Sequence, residues 1–206
     1  MRDQQIRKWI TKLEHSFGEP RPLADVTELE RLYRAHDYAG MVRSIKERFG
    51  LTTPVRFELS SSGAPIDKQG QRARAWCRIN LRPFAFRKNR VLDATVYCDT
   101  KGIVSGPLEA VTICMSHELS HIMLENTRHS LRRHEEAVDL MAMLLGYRKF
   151  YAIHATKVAR AANSAEHFID ALMAGKNPPL TRDLYESRVG YLSPEEIRYA
   201  ARLMQI

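Results

Sequence analysis

The chain has no cysteine pair at CxxC spacing; its three cysteines, Cys77, Cys98 and Cys114, stand far apart. An odd, scattered count argues against a disulfide framework and against a thiolate zinc knuckle, so each is read as a small buried hydrophobe. No apolar run is long enough to span a bilayer, which predicts no membrane contact. The opening MRDQQIRKWITKLEHSF lacks an unbroken apolar core and a small-residue cleavage pattern, which leaves a cytoplasmic location as the expectation. There is no internal repeat, no zinc-finger or RNA-binding signature, and no clear helix-turn-helix punctuation. The net charge of +8 is spread along the whole chain, so a nucleic-acid partner rests on charge balance alone.

What is present is the composition of an ordinary globular protein, 44% hydrophobic and 27% charged, which excludes a disordered or fibrous chain. Its 206 residues suit one large domain, or one domain with a helical extension. Residues 3–17 carry Ile6, Trp9, Ile10 and Leu13 at helical spacing, before Gly18, Pro20 and Pro22 interrupt the pattern. A second helical run covers about 25–49, with a break near Asp37 and Gly50 as its stop. Alternation of Val55, Phe57 and Leu59 with Arg56 and Glu58 predicts a strand. Two further strands are expected at 73–81 and 91–98, after a polar turn at 60–71 and with a basic loop (Arg87, Lys88, Arg90) between them. Trp9 and Trp76 are read as core anchors.

Pro107 and Glu109 then open a helix running to about Glu125, with Pro107 as its first residue. Another helix is expected from His134 to Leu145, ended by Gly146, and another over 152–174 before Pro178 and Pro179. The last starts at a capping box, Ser193-Pro194-Glu195-Glu196. The order predicts an α+β fold with a small sheet and a helical second half. Its expected parts are an N-terminal helix and linker (1–22), a metal-binding domain (23–150) and a helical C-terminal extension packed on it (151–206).

The chemistry concentrates at His117-Glu118-Leu119-Ser120-His121. Residues four apart share one face of a helix, so His117 and His121 can hold one ion from a rigid base. Glu118, turned about 100° from the first histidine, is displaced from ligation but can reach a water held by the metal. A catalytic zinc needs a third protein ligand and an open position. Candidates beyond residue 121 are His129, His134, Glu135 and Glu136. Glu135 is preferred because Asp139 lies four residues on, where it can accept the second N–H of a ligating histidine; Glu136 lies on another face.

Together these residues resemble the zincin metallopeptidases in the branch whose third ligand is a glutamate, with His-Glu-x-x-His on one helix and Glu-x-x-x-Asp or Asn on the next. Residues 135–146 further resemble the ligand helix of small intracellular peptidases that cleave phage-type repressors and stress regulators, through Val138, Asp139, Met141 and Ala142. The resemblance is specific over 107–146. Ser120 replaces a frequent glycine, and the linker to Glu135 is short and basic. It implies a zinc ion on His117, His121 and Glu135, Glu118 as general base, and hydrolysis of peptide bonds in an intracellular protein substrate.

The substrate is expected to lie extended along a sheet edge, supplied by residues 91–98. Tyr147, Tyr151 and His154 are candidates for an extra donor to the substrate, each also readable as a packing residue. Several blander readings compete: core histidines satisfied by hydrogen bonds, a structural zinc with His129 or His134 as fourth ligand, a zincin-like scaffold that has lost activity, and a non-catalytic zinc-stabilised regulatory or binding module, with nucleic acid as the weaker partner reading. Arg128, Arg132 and Arg133 form the densest basic patch near the motif. The sequence does not indicate an oligomeric state.

Overall fold

The computed structural model describes residues 2–61, 74–81, 91–157 and 191–205. Most of the turn at 60–71, the basic loop 87–90, the expected helix beyond 157 and the Pro178–Pro179 break lie outside them. The described elements are mixed helix and sheet. Helix α1 (Arg2–Phe17) buries Ile6, Ile10 and Leu13 as one stripe. Asp25 caps α2 (Val26–Arg34) by accepting a hydrogen bond from Thr27 N at 2.8 Å. Asp37 does the same for α3 (Tyr38–Phe49) through Gly40 N, so the break expected near Asp37 is a new N-cap. Gly50, at φ +65°, closes α3 in the left-handed conformation.

Three strands follow: β1 (Val55–Ser60), β2 (Ala75–Leu81) and β3 (Val91–Asp99). The sheet order is β1-β3-β2, with β1 parallel and β2 antiparallel to β3. Strand β3 is therefore central, paired on both sides, and β2 is an edge among the described residues. This corrects the expectation that 91–98 supply a free edge. Two-residue alternation turns Ala94, Val96 and Cys98 to the helices, where each is fully buried. On the opposite face Trp76 stacks on Tyr97, with centroids 5.4 Å apart. Trp9 is half-buried and packs against the core and His134, whereas Trp76, half-buried on the opposite face of the sheet, is not the core anchor expected of it.

After a short helix α4 (Thr100–Val104), helix α5 (Leu108–Asn126) crosses β2 and β3. Pro107 is its cap rather than its first helical residue. Almost all of α5 is buried, and two of its buried hydroxyls turn back on their own helix: Ser116 Oγ donates to Ile113 O and Ser120 Oγ to Ser116 O. At its end the Asn126 side chain accepts from Val91 N at 3.0 Å and donates to Thr53 Oγ1 at 3.2 Å, which ties the helix to the sheet.

Helix α6 (Glu135–Ala142) runs into a π-type turn (Met143–Tyr147), and helix α7 continues over 148–157. Gly146 does interrupt the helix, at φ +106°; a Cβ there would stand 2.4 Å from Pro22 O. Carbonyls freed at this turn are taken by Arg21 N, Ala24 N and Arg48 Nε, so the α1–α2 connection docks on it. Helix α8 (Pro194–Leu203) begins with the expected capping box, with Ser193 and Glu196 bonded reciprocally. It packs on α1, and Arg2 pairs with Glu196 at 2.7 Å. No helix among the described residues is long and apolar enough to cross a membrane.

Candidate metal centre

Helix α5 places the two histidines of its motif one turn apart, with ring centroids 4.8 Å from each other. The following helix presents Glu135 to both. Glu135 Oε2 lies 3.2 Å from His117 Nε2 and 3.0 Å from His121 Nε2, and the two nitrogens are 3.1 Å apart. Among the described residues this is the one group of three His, Cys, Asp or Glu side chains whose ligand atoms converge.

A second carboxylate decides how His117 is held. Asp139, fully buried, meets His117 Nδ1 at 2.8 Å. With that nitrogen committed to a carboxylate, a neutral His117 turns the lone pair of Nε2 toward His121 and Glu135. Two imidazole nitrogens and a carboxylate oxygen then point at one another, an arrangement that wants a cation or a proton at its centre. Without a metal, protons serve. Burial opposes charge on His117, but hydrogen bonds to Asp139 and Glu135 outweigh it and push its pKa up to about 10. Partial burial likewise opposes ionisation of Glu135, and the two histidines overcome it and hold its carboxyl well below the usual range.

The donor set fits zinc. Ligands about 2.0–2.1 Å from a tetrahedral zinc stand about 3.3 Å apart, close to the spacing found here, and two imidazoles with a carboxylate are ligands zinc accepts. His117, His121 and Glu135 would hold it.

Glu118 lies beside this cluster, 8% exposed. The Cys77 thiol of β2 faces this region; burial, then the charge of Glu118, push that thiol's pKa well up. Cys98 and Cys114 are the buried hydrophobes expected. Cys77 instead lines the candidate site, which nothing in its sequence neighbourhood signalled; the strand's alternation turns Ala75, Cys77 and Ile79 to the helix side.

The other candidates fall elsewhere. His129 packs against Phe17 and its Nδ1 accepts from Leu131 N, while His134 packs against Trp9. Both rings belong to the contact with α1, so neither is a fourth ligand, and Glu136 is not part of the converging group. Of the suggested extra donors, Tyr147 packs on Phe49, and Tyr151 donates to Asp139 Oδ1 at 2.9 Å. Tyr147, Tyr151 and His154 are all at most 3% exposed, which leaves them packed inside rather than open to a substrate. In the basic patch, Arg132 pairs with Glu125 at 3.2 Å and Arg128 occupies a left-handed turn position at φ +52°. Comparisons with protein-family models, with curated proteins and with solved structures returned no match.

Proposed function

We propose that this chain is a zinc-dependent peptidase acting on a protein or peptide substrate, with Glu118 as general base. One observation carries the reading: three ligand atoms within 3.2 Å of one another, one of them oriented by a buried carboxylate, with a further glutamate beside them. A closed structural site needs a fourth protein ligand, and none joins the group among the described residues.

When bound, zinc supplies a Lewis acid that polarises a carbonyl and acidifies water. Asp139 fixes the ring of His117 and makes its free nitrogen a better donor. Glu118 accepts the proton of the attacking water at its carboxylate and delivers it to the departing amine. An extended substrate adds as a strand to the edge of β2, the strand that carries Cys77.

The test uses purified full chain loaded with one equivalent of zinc and a library of fluorescence-quenched peptides. Glu118→Gln is expected to bind zinc as the parent does and to cleave about 10²–10⁴-fold more slowly. A Glu118→Gln protein that cleaves at the parent rate, or parent activity that survives removal of zinc by a chelator, overturns the reading.

A further inference from the structure

Asp139 accepts more hydrogen bonds than the orientation of one histidine requires. Its Oδ1 takes His117 Nδ1 at 2.8 Å and Tyr151 OH at 2.9 Å. Its Oδ2 takes the backbone N–H of Tyr191 at 2.6 Å and of Leu192 at 3.2 Å. These two donors lie 52 and 53 residues further along the chain. The same turn lays the Tyr191 ring against the His117 imidazole, with centroids 5.5 Å apart and planes 25° from parallel. Residue 191 therefore meets both the orienting carboxylate, through its backbone, and the histidine it orients, through its ring.

The turn is firmly seated. Leu192 is 2% exposed, and Ser193 directly after it caps α8. Ile197 and Ala200 of α8 and Met204 at its C-cap are buried, and Glu196 is bound to Arg2 of α1. Tyr191 itself is 40% exposed, while its ring lies against His117.

We propose that Tyr191 is a positioning residue of the metal centre. Its ring locks the plane of His117 that Asp139 has already fixed at one nitrogen, and so raises metal affinity by holding the ligand ready. This rests on the reading of the site as a zinc centre. A ligand with two fixed points loses less freedom when the metal arrives, and the aromatic face keeps water from competing along that side of the ring. No neighbouring sequence motif marks Tyr191; only the return of the chain to Asp139 brings it there.

The experiment measures zinc affinity of the metal-free full chain by competition with a chromophoric chelator, together with the visible spectrum of the Co²⁺-substituted protein. Tyr191→Ala is expected to weaken zinc about tenfold and to alter the Co²⁺ bands. Tyr191→Phe, which keeps the ring, is expected to match the parent within about twofold in affinity, since the stacked ring rather than the hydroxyl carries the effect. The unfolding midpoint of each metal-free variant separates a positioning effect from loss of fold; if Tyr191→Ala does not fold, Tyr191→Leu replaces it with the same expected loss. Parent affinity and spectrum in the alanine or leucine variant overturn the inference, as does equal weakening in Tyr191→Phe. In both cases the parent still binds zinc and the metal reading stands. A parent chain that takes up no zinc removes that reading, and this inference with it.

Discussion

Helix α6 carries two carboxylates four residues apart, and they have opposite surroundings. The Glu135 side chain is 40% exposed and offers one oxygen to both histidines. The Asp139 side chain is fully buried, and four donors fill its two oxygens. Similar chemistry on one helix face is thus split into a group with room to take a metal and a group with none. A buried carboxylate is tolerated only when its lone pairs are taken, and once they are taken it is a fixed reference for whatever it binds. A half-exposed one stays available.

Removing the buried partner should give the largest effect. Asp139→Ala leaves His117 Nδ1, Tyr151 OH and two backbone N–H groups without their acceptor, so a loss of about 3–5 kcal/mol in urea unfolding is expected. A loss below about 1 kcal/mol would show that these donors find other partners and that the contrast with Glu135 is false. Glu135→Gln should do the reverse. Metal-free stability is expected to change by less than about 1 kcal/mol because the side chain is half-exposed. Zinc affinity should fall by at least about 100-fold, since a ligand matters more than the outer groups that orient it. Isothermal titration beside the unfolding curve reads both numbers.

Acid and base sharpen the comparison further. The pKa of His117 in the metal-free protein is raised to about 10, and zinc requires the unprotonated nitrogen. Zinc affinity is therefore expected to fall as pH is lowered from about 10, by about tenfold per unit from this residue alone. Stability of the metal-free protein should run the other way. A raised imidazole pKa contributes stability that is complete below the ordinary histidine value and is lost as pH rises through about 10. Opposite slopes over one pH interval, lost together in His117→Asn, are the signature; slopes of the same sign would deny His117 this role.

Much of the local structure was legible because it depends on neighbours. The cap at Ser193 and the stop at Gly50 are short-range matters of backbone hydrogen bonding, and the structure has them where the sequence places them, while the break expected near Asp37 is an N-cap. Placing Glu135 and Asp139 on one helix face also needed only the helical repeat. The order of the strands does not follow from their patterns: alternation reports which residues face the core, not which strand lies in the middle, so 91–98 reads equally well as an edge, and only the pairing makes β3 central. His129 and His134, plausible ligands by spacing, are turned to α1 by packing on Phe17 and Trp9.

By itself the sequence determined that His117 and His121 share a helical face with Glu118 one step on, because a helix repeats every 3.6 residues whatever surrounds it. Tertiary structure alone decided that Cys77 comes near Glu118, and that Tyr151, Tyr191 and Leu192 complete the hydrogen bonding of Asp139. Those partners come from a strand, another helix and a distant turn, and the contacts exist only because a common core brings the elements together. No local periodicity encodes such a meeting.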